Sequence, residues 1–317
     1  MNIPLYSFPL PYPGESYYSV LCRCHLRSGN ASSAYTMTQL FHHGIDLSKT
    51  ILFPAYLDLL PSWTFPDYAC SEKQILLKHT ALPLRFLNKQ YLDLCPVSIP
   101  ALIKSDKAKF FHRELIHSPD KALRFCPKCA REQKILYGES FWQLLPQLDG
   151  VEFCPIHKER IMSSGIRVSR YSTKFIPASA VLDDISPVLE CSSGSWYSES
   201  DIRKFPQLFI SMAESYAWLL AHGNSYIGIW QVLSRYRTLF SRSDAHSWFD
   251  ARNVKSILIK KNNQAVVNWL FLSGIHGFTP NYIFFGGLPI TAHVLMMVLL
   301  MRSAKRFFDV KETGISL

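Results

Sequence analysis

The sequence predicts a mainly α-helical protein with one small module of mixed α and β structure near its centre. Apolar residues recur at helical spacing through much of residues 201–308, whereas residues 121–162 hold two similar cysteine-proline segments around a run with strand character. The 317 residues, of which 48% are hydrophobic, suffice for a large core divided among several domains. We predict an N-terminal helical domain, the central module, a linker with short strands and a C-terminal helical domain, at residues 1–120, 121–162, 163–200 and 201–317.

The N-terminal region predicts an extended lead followed by two short helices. Proline is frequent up to Ser16 and favours extended backbone. The first helix should open at Glu15 or Ser16 and end at Gly29, and the second should run over residues 36–43 and stop at Gly44. This pattern predicts a helix-turn-helix-like unit. A plain helical subdomain is the alternative, because the predicted connection between the two helices is longer than the turn of about three or four residues that is usual in a helix-turn-helix.

The remaining elements follow from the same signals. Residues 71–88 predict two short helices interrupted by Pro83, and Arg131–Tyr137 predicts a helix ended by Gly138. Residues 141–153 predict a strand or hairpin with a turn at Asp149-Gly150. In the C-terminal domain we expect helices at residues 201–222, 227–240, 265–272 and 290–308.

Residues 284–301 form an apolar run that could be compared with a membrane-spanning segment. Residues 284–301 carry no formal charge, but Gly286, Gly287 and Pro289 interrupt the run. The uninterrupted part is too short to cross a hydrocarbon layer of about 30 Å. We therefore expect a buried core helix and no membrane partner.

Two matched half-sites carry most of the chemistry. Cys126 and Cys129 form C-x2-C, and Cys154 and His157 form C-x2-H, each with a proline directly after its first cysteine. These four ligands suit one tetrahedral Zn²⁺ in a knuckle or ribbon module, and because four protein ligands close the coordination shell, the zinc should be structural.

Two other uses of these cysteines remain as alternatives. A disulfide is disfavoured because no leader-like segment opens the chain, so we expect a reducing, cytoplasmic compartment. A redox C-x-x-C would not need the second half-site. Outside the half-sites, we expect Cys22 and Cys24 to be buried thiols, and we assign no chemistry to the other cysteines, Cys70, Cys95 and Cys191.

The charge balance favours an anionic partner. The chain has 34 Lys and Arg against 24 Asp and Glu, a formal net charge of +10, which points to nucleic acid first and to an acidic protein or a membrane surface next. A solvated basic surface is the alternative. The candidate nucleic-acid or partner contacts lie on the first predicted helix and around the half-sites: Arg23, Arg27, Lys128, Arg131, Lys134, Arg167 and Arg170.

The sequence lacks the common catalytic signatures. It contains no G-x-x-x-x-G-K-[ST], no G-x-G-x-x-G after a strand, no G-x-S-x-G and no H-E-x-x-H. Asp183 and Asp184 are adjacent, so their side chains point apart, and no third acidic ligand follows them. We expect a binding protein and not an enzyme.

Four segments together resemble the TniQ/TnsD family of transposon target-selector proteins. The chain opens with a proline-bounded P-x-x-x-E-S segment that ends at Glu15-Ser16, and a Tyr137-Gly138 pair and Trp142 lie between the two half-sites. The resemblance covers residues 4–162 and extends weakly to residues 290–300. The segments that carry it are Pro9–Ser19, Arg124–Cys129, Tyr137–Gln143 and Phe153–His157.

The resemblance implies a bacterial cytoplasmic adaptor for a TnsABCD-type transposon. Family members mark target DNA and recruit an AAA+ transposition regulator (TnsC-like) and, through it, the transposase. Some bind an attachment site through a long C-terminal region, which looks absent because the chain stops at Leu317. Others dock on a Cascade-like CRISPR effector with its guide RNA, although the second cysteine quartet of some of these members is missing here.

We therefore expect an RNA-guided adaptor, with a homodimer as a possible assembly. The alternatives are a homing selector that binds attachment-site DNA directly, a zinc-stapled DNA-binding transcriptional regulator and, last, a metal-dependent nuclease.

Overall fold

A computed structural model divides the chain into two compact units. The first comprises Met1–Leu82 and Ser98–Ser193, and the second comprises Pro83–Val97 and Gly194–Leu317. The predicted domain boundaries at residues 120, 162 and 200 stay predictions. The structure describes residues 8–61, 64, 72–87, 122–169, 171–183, 197–223, 229–240, 251–272 and 289–309.

The first unit combines short helices with one small sheet. Strands β1 (Ala122–Phe125) and β2 (Met162–Arg167) pair antiparallel, with Phe125 opposite Met162. Three 3₁₀ helices occupy Leu47–Thr50, Leu57–Leu59 and Leu145–Gln147. The α-helices are α1 Tyr17–Ser28, α2 Ser33–Phe41, α3 Glu72–Lys78, α4 Pro127–Tyr137 and α5 Ser179–Leu182.

The second unit is helical throughout its described part. The N-terminal segment of the first unit ends at Leu82, and a 3₁₀ helix over Leu82–Leu87 begins at that residue. The α-helices that follow are α6 Glu199–Lys204, α7 Pro206–His222, α8 Ile229–Phe240, α9 Ala251–Lys261, α10 Gln264–Leu272, α11 Ile290–Met301 and α12 Ala304–Phe308.

Helix α11 forms the core of the second unit. Every residue from Ile290 to Leu300 is buried, and the helix packs against α7, α9 and α12. This confirms the predicted buried core helix for residues 290–301, whereas residues 284–288 lie outside the described part. In the described ranges no helix has the length and apolarity that a bilayer crossing requires.

The mainly helical class with a small two-stranded sheet is confirmed. Capping residues explain where the first two helices begin and end. Helix α1 begins after Ser16, whose hydroxyl accepts a hydrogen bond from the Ser19 amide at 3.3 Å, and ends at Gly29 with φ 68°. Helix α2 starts earlier than predicted because Ser32 caps the Tyr35 amide at 3.2 Å. It ends at His42, in the left-handed region, instead of Gly44.

The predicted strand or hairpin over residues 141–153 is wrong. The segment contains two isolated bridges, Gln143 with Glu15 and Phe153 with Arg160, and the 3₁₀ helix Leu145–Gln147 lies between them. At the start of this segment the backbone partners lie in the N-terminal lead. Trp142 O accepts from the Ser16 amide at 2.9 Å, and the Leu144 amide donates to Gly14 O at 2.9 Å. The predicted turn at Asp149-Gly150 is present, and Gly150 supplies its positive φ of 81°.

Two predicted long helices are each divided in two. Pro206 starts α7, and Phe205 before it is not helical, which separates α6 from α7. Arg302 adopts a left-handed conformation with φ 67° and separates α11 from α12.

Candidate metal centre

The first half-site sits at the beginning of a helix. Strand β1 ends at Phe125, Cys126 is the N-cap of α4, and Pro127 occupies the first helical turn, where a missing amide hydrogen costs nothing. The Ala130 amide donates to Cys126 O at 3.0 Å and closes the turn that carries Cys129. Both thiols therefore lie at the positive end of the helix dipole, which favours thiolates.

The second half-site is a tight reversal of the chain. The Cys154 amide donates to Glu159 O at 2.8 Å and the Lys158 amide to Cys154 O at 2.9 Å. Lys158 completes the turn with φ 58°. The His157 amide also donates to Cys154 Sγ at 3.4 Å, a hydrogen bond that stabilises a thiolate.

The four predicted ligands meet at one point. The Nδ1 atom of His157 lies 3.5, 3.4 and 3.6 Å from the Sγ atoms of Cys126, Cys129 and Cys154, and the Sγ atoms of Cys129 and Cys154 are 3.6 Å apart. All four ligand atoms lie within 4.8 Å of one another. A zinc tetrahedron with metal–ligand bonds of about 2.0–2.3 Å has edges of about 3.5–3.8 Å. The cluster could therefore hold one metal ion.

The electrostatics of the three thiols also fit a cation. Hydrogen bonds from Cys126 and Cys129 lower the pKa of Cys154, whereas its neighbouring thiols raise the pKa of Cys129. Three thiolates this close repel one another, so without a cation only one of them ionises easily. A bound Zn²⁺ would stabilise all three. The three residues are free cysteines, not disulfide partners.

A buried ion-pair network lies behind the second half-site. Glu152 is fully buried, and its carboxylate oxygens lie 3.5 Å from guanidinium nitrogens of Arg124 and of Arg160. Gln147 fixes the neighbouring backbone, because its side chain accepts from the Arg124 amide at 3.0 Å and donates to Arg124 O at 2.7 Å. These contacts hold β1 against the segment that leads into Cys154.

A second network joins helix α1 to the metal module and corrects one predicted contact. Arg23 Nη1 lies 2.8 Å from Glu15 Oε2, and Arg23 Nε lies 2.9 Å from Glu139 Oε1, with the guanidinium 3.7 Å from the Tyr12 ring centroid. Arg23 is only 2% exposed. It is therefore an internal ion-pair residue and does not belong among the surface contacts, where the sequence analysis placed it.

The sequence places Glu15 and Glu139 in recognisable segments and offers Glu15 as a possible start of the first helix, but it predicts no ion pair for either residue. The structure shows that both pair with Arg23, and Arg27 Nη2 adds a third ion pair to Glu139 at 2.8 Å. Burial opposes ionisation of Glu139, but Arg23, Tyr12 and Arg27 outweigh it and lower its pKa. The Arg23 network, defined as these two glutamates, two arginines and Tyr12, is thus an internal fastening of the first unit.

The remaining predicted contacts that the structure describes are exposed but lie on different elements. Lys128, Arg131 and Lys134 are on α4, Arg27 is on α1, Arg167 is at the end of β2, and Arg170 lies outside the described residues. Lys128 pairs with Glu159 at 2.6 Å, and Lys134 lies 3.9 Å from Asp183. Arg131 and Lys134 line a cleft of about 740 Å³ together with Phe125, Met162 and Leu182.

Helix α4 also exposes two large aliphatic side chains that the sequence analysis missed. Ile135 is 83% exposed and Leu136 is 72% exposed. We call Arg131, Ile135 and Leu136 the α4 surface. The signal was available in the sequence, since the segment from Arg131 to Tyr137 has no apolar periodicity that would bury both residues.

Comparison with known proteins gives this geometry a family context. Residues 6–161 match the family model described as TniQ, a range that includes the four clustered residues and the Arg23 network. The transposon Tn7 transposition protein TnsD from Escherichia coli is 26% identical over 159 residues. The alignment covers 48% of this chain and 30% of that relative. Residues 6–161, about half of the chain, thus match the TniQ family, and both comparisons support the TniQ/TnsD family for this region.

Proposed function

We propose that this chain is a target-selection protein of a Tn7-like transposon and that it works as a binding adaptor without a catalytic centre. The observation that carries the proposal is that one matched region holds both the four-ligand cluster and the N-terminal helices. The Arg23 network fastens the first of these helices, α1, to that module. The two parts form a single platform on which partners could assemble.

The metal in this proposal is one structural Zn²⁺. Three thiols and one imidazole at tetrahedral spacing fill the shell and leave no position for a water or substrate. The zinc would hold the two knuckles together, which fixes α4 relative to the chain around Cys154. Such a role requires reduced thiols, in keeping with a cytoplasmic location.

The α4 surface favours a protein partner over bare duplex. Two almost fully exposed aliphatic side chains suit a protein interface, whereas phosphate contacts require cations and polar groups. We infer that the adaptor links a target-bound complex, an RNA-guided CRISPR effector, to the AAA+ transposition regulator. Target DNA would be contacted within that assembly, and a homodimer is compatible with it.

A homing selector that reads attachment-site DNA itself is the second candidate. The observation that favours it is the pair α1 and α2, joined by residues 29–32 only, a spacing typical of a helix-turn-helix. The exposed residues of α2, among them Tyr35 and Thr38, would then face a DNA groove. A zinc-stapled transcriptional regulator would use the same helices.

The test combines capture of partners with a duplex-binding assay. The zinc-loaded chain is mixed with the AAA+ protein and the effector complex encoded beside it, and in parallel with duplex DNA at two salt concentrations. We expect capture of both proteins and weak, salt-sensitive duplex binding. The double variant Ile135→Ser/Leu136→Ser should lose one of the proteins, while Tyr171→Ser, which removes another large exposed side chain, should lose neither.

Tight binding of a single DNA sequence by the chain alone, with neither protein captured, would favour the homing selector instead. Absence of an AAA+ gene beside this one would favour the transcriptional regulator.

A further inference from the structure

One carboxylate touches the proposed metal centre without being a ligand. The Nε2 atom of His157 lies 3.0 Å from Glu132 Oε1, on the side of the imidazole opposite the three sulfurs. We propose that Glu132 is a positioning residue of the metal centre, which holds the His157 ring with Nδ1 toward the ion and so slows loss of the metal. The inference rests on the metal site of the proposed function.

The tautomer of His157 is what Glu132 would control. A neutral imidazole has one N–H, and the nitrogen that binds a metal must be the one without it. A carboxylate at Nε2 accepts that hydrogen and leaves the Nδ1 lone pair directed at the three thiols. Carboxylate partners of this kind fix the orientation and raise the basicity of histidine ligands.

The placement of Glu132 follows from the helix that carries it. Cys129 and Glu132 are three residues apart on α4, so their side chains lie on neighbouring parts of the same helix face. The helix thus supplies a sulfur to one side of the cluster and a carboxylate to the outer nitrogen of the histidine. Glu132 is itself 57% exposed in its side chain, so this contact lies where His157 meets solvent.

A neighbouring glutamate gives a matched comparison. Glu159 belongs to the second half-site turn and is similarly exposed, but its carboxylate pairs with Lys128 Nζ at 2.6 Å. Its contribution to the half-site is the backbone oxygen that accepts from the Cys154 amide. Replacing the Glu159 side chain therefore removes the same charge from the same module without touching a ligand.

The experiment measures the rate at which the full-length, zinc-loaded chain releases zinc to a chromogenic chelator. We expect Glu132→Ala to release zinc about tenfold faster than the wild type, since loss of such a partner typically weakens metal binding by about 10–100-fold. Glu132→Gln should fall between the two, because the amide oxygen still accepts from Nε2–H but has no charge. Glu159→Ala should stay within about twofold of the wild type.

A spectroscopic readout separates positioning from a general loss of structure. In chain labelled with ¹⁵N-histidine, the His157 Nε2–H proton should exchange slowly in the wild type and Glu132→Gln, and quickly in Glu132→Ala, with Nδ1 metal-bound in all three. The inference is overturned if Glu132→Ala matches Glu159→Ala in both readouts, or if His157 binds zinc through Nε2. If the wild type takes up no zinc, the proposed metal centre itself fails.

Discussion

The two compact units of this chain bury polar groups in different ways. The described part of the first unit buries oppositely charged side chains in pairs, Glu15 with Arg23 and Arg124 with Glu152, and also holds the Cys/His cluster that could bind a metal ion. Among the described residues of the second unit, the buried polar groups are uncharged or weakly basic, as Ser215, Thr291 and His293 illustrate.

The two units therefore depend on different interactions. Buried ion pairs contribute little net stability but are costly to break, so they favour one arrangement of the chain over others. Helix α11 instead removes mainly apolar side chains from water along Ile290–Leu300, a contribution that is spread over many residues. We expect the first unit to be specific and fragile, and the second to tolerate change.

Removal of a bound metal ion should have the largest effect of all, and it should reduce hydrogen-exchange protection in the first unit only. Structural zinc in small modules is linked to about 10 kcal/mol or more of folding free energy. Chelation, or Cys154→Ser, should therefore abolish hydrogen-exchange protection over residues 122–167 and leave residues 290–308 protected. Cys22→Ala, which removes a buried thiol outside the cluster, is the control. Equal loss of protection in both units would contradict the comparison.

Loss of Arg23 should have the next largest effect. Arg23→Ala leaves Glu15 buried and unpaired, which should lower the free energy of unfolding of the first unit by about 3–5 kcal/mol. Burial already raises the pKa of Glu15 to about 7 despite Arg23. Without the arginine that pKa rises further, so the cost of the variant should shrink as the pH falls and Glu15 becomes neutral.

Arg27→Ala is the control for this measurement. Arg27 contacts the same Glu139 but is exposed, so its loss should cost less than about 1 kcal/mol. Adding Glu15→Gln to Arg23→Ala should recover part of the loss in urea denaturation. If Arg23→Ala unfolds no more easily than Arg27→Ala, the Arg23 network does not fasten the first unit.

Acid should weaken the second unit through one histidine. Burial lowers the pKa of His293 to about 3, while its Nδ1 atom lies 3.1 Å from Tyr236 Oη. The unfolded chain binds a proton below about pH 6.5 and the folded chain does not, so stability is present above that pH and is lost as the pH falls. Between pH 7.5 and 5 the loss should be about 2 kcal/mol.

The variant His293→Gln tests this assignment, because glutamine keeps a polar group near Tyr236 without titrating. Hydrogen exchange of residues 290–308 as a function of pH reads out the second unit alone. An unchanged pH slope in the variant would assign the acid sensitivity to other groups.

The features that the sequence predicts correctly are those whose residues lie close together in the chain. The four clustered residues could be predicted because each half-site spans four positions, and α11 because its apolar composition is continuous. The burial of Arg23 could not be predicted, since Glu15 is close in the sequence but its second carboxylate partner, Glu139, lies 116 positions away. The segment after Phe141 was misassigned as a strand for the same reason, because the N-terminal lead supplies its hydrogen-bond partners.

The smallest expected effect comes from a feature that the two units share. Ser16 caps α1 by accepting from the Ser19 amide at 3.3 Å, and Ser303 caps α12 by accepting from the Arg306 amide at 3.2 Å. Replacing either serine by alanine should cost about 1 kcal/mol, and threonine should restore most of it. Ser16 is buried and lies beside Glu15, whereas Ser303 is partly exposed. If thermal unfolding shows equal losses of stability for the two alanine variants, capping alone explains the effect of Ser16. A much larger loss for Ser16→Ala would show that this serine also supports the Arg23 network.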